Sequence, residues 1–246
     1  MKFIFLDTLD STNLEAFRQI DQGQPVPFWV IAKEQTHGRG RRGRDWISKA
    51  GNLFSSGVYQ AFDNPQETTK LSFVAAIAIV ETLQAYLPPD LISVKWPNDV
   101  LVKGEKISGV LLENNGMYVV VGIGINLVSH PDKTKYPATH LLAHITPEKL
   151  AGPEPVMTGP DAVLALLAER FTHWYDVFVQ QGFTPIRQSW VSKTRNFRGS
   201  SVNVHLAKET LKGKIVDLGQ NGELQLRLEN GTIRDIHTGD IFPVFE

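Results

Sequence analysis

The sequence predicts an α+β protein: a mixed, largely antiparallel sheet packed by helices, followed by a small β-barrel. Three features carry that expectation. Strand-like segments between residues 91 and 126 follow one another across turns too short for a crossover helix, which favours antiparallel pairing. Two long apolar runs of helical character, 68–86 and 161–181, supply a covering layer. From about Arg198 onward, short β-like pieces alternate with turn signals at the spacing of a five-stranded barrel.

Residues 2–6, Lys-Phe-Ile-Phe-Leu, read as the first strand. Asp10-Ser11-Thr12-Asn13 opens a helix: Thr12 and Glu15 have capping-box spacing, and Leu14, Phe17 and Ile20 are expected to face the core. Phe28–Lys33 is a short buried strand leading into an Arg/Gly loop, and Leu53–Tyr59 is another strand. The helix from Thr68 to Tyr86 is stopped by Pro88-Pro89. Segments 91–96, 100–102, 107–113 and 117–126 form the meander, turning at Pro97-Asn98-Asp99, Lys103-Gly104-Glu105 and Asn114-Asn115-Gly116. Residues 129–159, rich in Pro, His and Thr, read as an irregular excursion. The next helix presents Leu164, Leu167, Phe171, Trp174, Tyr175 and Phe178 on one face, and a shorter one follows near 184–192. Strands at 201–206, 211–218, 223–228 and 232–237 build the C-terminal part, so the expected domains are 1–195 and 196–246.

Composition narrows the function classes. A chain of 246 residues has room for one large domain and a small one. It has no cysteine, which excludes disulfides, thiolate metal sites and cysteine nucleophiles. The seven histidines are scattered without ligand spacing, so no protein-held metal is expected. The apolar run Phe3–Leu6 is too short for a signal peptide, and Leu71–Leu83 is too short to cross a bilayer. A cytoplasmic location without membrane contact is the expectation. Lys and Arg (25) balance Asp and Glu (26), leaving net charge −1 and no basic field for nucleic acid.

The positive charge is instead local. Gly38-Arg39-Gly40-Arg41-Arg42-Gly43-Arg44 packs four arginines and three glycines into seven residues, followed by Asp45 and Trp46. Guanidiniums so close repel one another unless an anion lies between them, so the segment reads as a loop that is mobile until it wraps an anionic ligand. Trp46 offers a ring to stack on that ligand. A second cluster is Lys95-Trp96-Pro97-Asn98-Asp99 with Lys106-Ile107-Ser108-Gly109. Taken alone, Asn98-Asp99 is a turn, Lys95 and Lys106 are surface lysines, and Gly109 is a bulge. In the third, Gly122 and Gly124 weaken an otherwise apolar strand ending at Asn126, so something approaches it closely: a flat ligand or a packed helix. No helix and no third glycine follow, which excludes a dinucleotide fingerprint.

Taken together, Asp10-Ser11-Thr12-Asn13, Glu34-Gln35-Thr36, Gly38 through Trp46, Lys95 through Asp99, Lys106 through Gly109 and Gly122-x-Gly124-x-Asn126 resemble, in order and spacing, the biotin protein ligases. The resemblance spans residues 1 to about 190, and the C-terminal β segment is similar to that family's small SH3-like domain. It implies a biotin/lipoate ligase-like catalytic domain that uses ATP to form biotinyl-5'-AMP and passes biotin to a lysine of a carboxylase carrier protein or domain. Biotin would be held by Ser11, Thr12, Asn13, Gln35, Gly38, Arg39, Gly40, Arg41, Lys106 and Gly109. The nucleotide would meet Arg41, Trp46, Lys95, Asn98, Asp99, Lys106, Gly124 and Asn126. Lys106 and Arg41 would carry catalysis, and Mg²⁺ would ride on the phosphates. His37 stands where the family pattern leads one to expect a small residue. Many family members carry a DNA-binding domain ahead of these motifs, and the motif start at Asp10 leads us to expect an enzyme without one, as monomer or homodimer. A lipoate ligase, or a module that holds biotin without turnover, is the competing expectation.

Overall fold

A computed structural model of the chain describes residues 1–132, 134, 137–146, 148, 149 and 158–243. Residues 133, 135, 136, 147 and 150–157 of the expected irregular excursion therefore lie outside the described residues. A seven-stranded mixed sheet is built from β1 (Lys2–Leu9), β2 (Phe28–Gln35), β3 (Leu53–Gln60), β4 (Ile92–Lys95), β5 (Asp99–Val102), β6 (Glu105–Asn114) and β7 (Tyr118–Ile125), in the order β1-β2-β3-β7-β6-β5-β4. Only β1 and β2 pair in parallel, and α1 (Thr12–Asp21) supplies their crossover; every other ladder is antiparallel, as the short turns require.

Strand β2 shows why the sheet is covered on both sides. Its run Phe28-Trp29-Val30-Ile31-Ala32 is buried throughout, as a strand with two covered faces must be. Phe28 and Val30 pack with Val58, Val120 and Ala16 beneath α1. Trp29 and Ile31 point the other way, into the main core under α2 (Pro65–Gln84), α3 (Pro160–Gln181) and α4 (Phe183–Ser192). The α2 start is fixed by Asn64, whose side chain accepts from the Gln66 amide at 3.0 Å, with Pro65 in the first turn. Leu14 does not reach a core cluster: the buried residues of α1 are Thr12, Asn13 and Ala16, while Phe17 and Ile20 lie partly buried at the edge. Nor does the capping box form. Ser11 is the N-cap, the Thr12 hydroxyl turns inward, and Glu15 serves Arg18 and Gln19.

The second sheet comprises β8 (Ser201–His205), β9 (Thr210–Leu218), β10 (Leu224–Leu228), β11 (Ile233–Ile236) and β12 (Asp240–Pro243), ordered β11-β10-β9-β8-β12 and wholly antiparallel. The expected barrel does not close: among the described residues no ladder joins β11 to β12. The sheet docks against the first through the Trp96 indole, which donates to Gly222 O at 2.9 Å, and through Arg187, which donates to Leu218 O at 2.6 Å and pairs with Asp217 at 2.9 Å. Among the described residues, no helix is long and apolar enough to cross a membrane.

One close approach sets the core geometry. A Cβ on Gly57 would come within 2.7 Å of the Trp29 ring, which is held edge-on to Phe171 with ring centres 5.8 Å apart. Gly57→Ala should therefore overpack the core, at a cost of about 1–3 kcal/mol. A thermal melt lowered by several degrees is expected, and an unchanged melt would show that Trp29 can move aside.

Candidate active site

Strand order brings separate pieces of sequence to one cavity of about 430 Å³ on the α1 side of β3, β7 and β6. Ser11, Thr12, Asn13, Gln35, Arg39, Gly40, Arg41, Trp46, Lys95, Asn98, Asp99, Lys106, Gly109, Gly124 and Asn126 all line it. Of the residues expected from sequence, Gly38 does not. It sits behind the loop, where its carbonyl accepts from Trp46 N at 2.9 Å and a side chain would strike the Trp46 carbonyl and Ser48.

At one end the groups are neutral and hydrogen-bonding. The start of α1 faces the end of β2, so Gln35 Oε1 accepts from Thr12 N at 2.8 Å and lies 3.1 Å from the Thr12 hydroxyl. Gln35 Nε2 donates to Ser48 at 2.9 Å, and Ser48 donates to Trp46 O at 3.0 Å. Beneath them Ser56 of β3 reaches Thr12 Oγ1 at 2.8 Å and Asn13 Oδ1 at 2.6 Å.

The floor is bare backbone. Gly109 of β6 lies opposite Gly124 of β7, and Gly122 is one pleat away. A side chain at Gly122 would strike the Asn13 carboxamide, and one at Gly124 would strike the Trp46 indole, with Nε1 only 2.5 Å off. A Cβ at Gly109 would meet the same ring at 3.0 Å. So Gly122 makes room for a helix, and Gly124 and Gly109 make room for a flat ring that the chain itself supplies. Gly109 is no bulge either: the register slips at Val100/Leu101.

The other end is cationic. Asp99 takes Lys106 Nζ at 2.6 Å and Lys95 Nζ at 3.1 Å, and side-chain exposures of 26 % and 16 % remove both lysines from the surface class. Burial pushes the Asp99 carboxyl up, but the two ammoniums outweigh it and hold the group below its ordinary value. Arg41 donates to Asn98 Oδ1 at 3.0 Å, and Asn98 is fixed by its own bond to Val110 O at 2.9 Å. Desolvation lowers the Arg41 pKa, though the guanidinium stays charged at neutral pH. Backbone bonds of Lys106 to Pro137 O and from Thr139 N lay residues 137–139 beside it, and the Asn126 amide holds the same segment through Thr139 O at 3.0 Å.

The Arg/Gly loop has internal partners for its charges, contrary to the expectation that only an anionic ligand could separate them. Arg39 pairs with Glu113 at 2.6 Å, Arg42 and Arg44 with Asp240 at 3.4 and 3.3 Å, and Arg42 also bonds Thr238. Sequence reading missed Asp240, which lines the cavity, and Ser48, Ser56 and Glu113, which hold lining residues from behind. The pair Ser55-Ser56 inside a buried strand was a usable signal; Asp240 had none, being distant along the chain. Among the described residues, the His37 side chain bonds only its neighbour Thr36, at 2.9 Å.

Residues 5–127 match the biotin/lipoate A/B protein ligase family, and residues 198–242 match the biotin protein ligase C-terminal domain. A biotin–[acetyl-CoA-carboxylase] ligase of Paracoccus denitrificans is 35% identical over 224 residues, covering 89% of this chain and 91% of that protein. The bifunctional ligase/repressor of Bacillus subtilis is 32% identical over 250 residues, covering 97% of this chain and 73% of that protein. The biotin protein ligase of Aquifex aeolicus, solved with biotin and ATP, superposes with a TM-score of 0.78 at 29% identity, covering 100% of this chain and 99% of that one. The chain belongs to the biotin protein ligases of this family.

The Asp99 cluster has a pH signature. A carboxyl with a lowered folded-state pKa adds stability above its ordinary value near 4 and loses it as pH falls through the lowered value. Asp99→Asn should cost about 1–3 kcal/mol at pH 7, because it leaves two partly buried ammoniums without a counter-charge. Urea unfolding of both proteins should show that gap closing below about pH 4. A gap independent of pH would mean that Asp99 acts through shape alone.

Proposed function

We propose that this cavity joins biotin to ATP as biotinyl-5'-AMP and then delivers biotin to a lysine of a carboxylase carrier domain. The observation that carries the reading is the pairing, in one cavity, of a neutral hydrogen-bonding end with a cationic end. The first suits a ureido ring, which has one carbonyl and two N–H groups to satisfy. Ser11, Thr12, Asn13 and Gln35 take that ring, with Arg39 and Gly40 contributing loop backbone, while Gly38 lies behind the loop. The second suits a reaction in which anion must meet anion. A biotin carboxylate oxygen attacks the α-phosphorus, and the bond to pyrophosphate breaks; the acceptor amine then attacks the acyl carbon, AMP leaves and a proton is lost.

No nucleophilic side chain is needed, so positioning and charge carry the rate. Lys106 and Arg41 neutralise the encounter, Lys95, Asn98 and Asp99 border the phosphates, and Trp46, Gly124 and Asn126 border the nucleoside. Gly109 leaves space for the biotin tail. Among the described residues no His, Asp and Glu cluster could hold a metal, and Asp99 is already engaged by two lysines. Magnesium would arrive on the triphosphate, as is usual for that ion. Domains at 1–195 and 196–246 and a cytoplasmic location belong to the same proposal.

With Mg-ATP, pyrophosphate release should rise on adding biotin and much less on adding lipoate or octanoate. A site built to bond a ureido ring leaves buried groups unpaired when the ring is missing. Equal rates with lipoate would overturn the biotin assignment, and binding of biotin without pyrophosphate release would leave a non-catalytic module.

Lys106→Ala should slow adenylation by about 10²–10³ while altering substrate binding far less. Lys106→Arg should recover only part, because a planar fork replaces a compact ammonium. Lys103→Ala, in the adjacent turn and exposed, is the control expected to be near wild type. A normal rate in Lys106→Ala, read in single turnover, would remove Lys106 from the chemistry.

A further inference from the structure

Glu113, at the end of β6, does not line the cavity, yet two of the proposed biotin-contacting residues converge on one of its oxygens. Asn13 Nδ2 donates to Glu113 Oε2 at 2.8 Å, and Arg39 Nη2 donates to the same atom at 2.6 Å. We infer that Glu113 is a positioning residue that sets the hydrogen-bonding polarity of the head-group end and ties the Arg/Gly loop to it. The inference rests on the biotin reading and deepens it.

Proton counting gives the argument. A carboxylate only accepts, so it fixes the Asn13 amide with its nitrogen toward Glu113 and its oxygen toward Ser56. An amide oxygen is also acceptor-only, so the single Ser56 hydrogen must go to Asn13 Oδ1, 2.6 Å away. Ser56 then has nothing left to give Thr12, and their 2.8 Å contact needs the Thr12 hydrogen to point down into Ser56. Gln35 Oε1 is already supplied by Thr12 N at 2.8 Å and does not need that hydrogen. Thr12 Oγ1 is left presenting lone pairs to the cavity, as a ureido N–H requires. The chain Glu113–Asn13–Ser56–Thr12 thus converts one carboxylate into an acceptor at the ligand.

Two further facts support a built arrangement. Gly122 lacks the side chain that would strike the Asn13 carboxamide, so backbone has been cleared for this one amide. Asn13 and Ser56 are also buried, at 3 % and 0 % exposure, where a reversed amide would set its oxygen against the Glu113 carboxylate, acceptor facing acceptor. Through Arg39 the same oxygen anchors the loop, so head-group recognition and loop placement share one residue.

The test is steady-state pyrophosphate release by the full chain, with biotin and ATP varied separately. Glu113→Ala leaves the Asn13 amide nitrogen only its long contact to Leu111 O at 3.5 Å, and the biotin KM should rise on the order of tenfold or more, the effect of losing a charge-assisted bond, with ATP KM and kcat within about twofold. Glu113→Gln keeps an acceptor oxygen for Asn13 and should hold the biotin KM within about threefold of wild type. In an Asn13→Ala background, Glu113→Ala should add little, because its route to Thr12 is already cut. A thermal melt close to wild type accompanies this pattern, since Glu113 is part exposed. A wild type that does not respond to biotin overturns the function and this inference together. A responsive wild type with an unchanged biotin KM in Glu113→Ala, equal changes in the biotin and ATP KM, or no rescue by Gln overturns the inference alone.

Discussion

A patch of sheet without side chains governs this molecule. Gly109, Gly122 and Gly124 sit together on β6 and β7, and the space they leave is filled by the Asn13 amide and the Trp46 ring. Any Cβ there would push α1 away from the sheet or lift the indole, and the cavity between them would lose its floor. Glycine in a strand interior sacrifices stability, and here β3 on one flank and the helices below hold the strands regardless. Among the described residues the indole nitrogen of Trp46 is buried without a hydrogen-bond partner, and the ring is held by shape, by the Lys106 ammonium over its face and by its own backbone bonds to the loop.

The second constraint is charge. Lys95, Lys106 and the four loop arginines are brought close together, and like charges in a partly buried site repel strongly. The chain answers with three carboxylates from three places: Asp99 for the lysines, Glu113 for Arg39, and Asp240 for Arg42 and Arg44. Arg41 alone among the four loop arginines is met by a neutral amide oxygen, that of Asn98. Among the described residues no carboxylate lies within hydrogen-bond range of it, and Asp99 and Asp240 act on it only from a distance.

This explains which parts of the site were legible in the sequence. Gly122 and Gly124 announced a close approach, but nothing local said whether a ligand or a side chain made it, and the answer came from residues 13 and 46. The Arg/Gly loop was read correctly as a cation cluster and wrongly as one without internal partners, because Asp240 lies on the last strand. Thr12 and Glu15 had the spacing of a cap, yet tertiary demand won: the hydroxyl turns inward against Ser56 instead of toward the helix end. Strand and helix periods, which depend on burial alone, survived with shifts at their ends. Closure of the C-terminal strands did not, since turn spacing specifies neighbours and leaves β11 and β12 undetermined.

The small sheet then has a place in the argument that its sequence did not announce. Asp240 and Ile241 of β12 line the cavity, Asp240 holds two loop arginines, and Gly222 takes the Trp96 indole beside the Pro97-Asn98-Asp99 turn. These contacts touch both sides of the cationic end, the loop that covers it and the turn that carries Asn98 and Asp99. Each is individually weak, since partly exposed ion pairs contribute little on their own. Their value lies in geometry: a loop with three glycines keeps many conformations open, and fixing two of its side chains to a rigid strand removes most of them. The C-terminal strands therefore act as the outer wall of the site, setting where Arg41 and Trp46 stand before any ligand arrives.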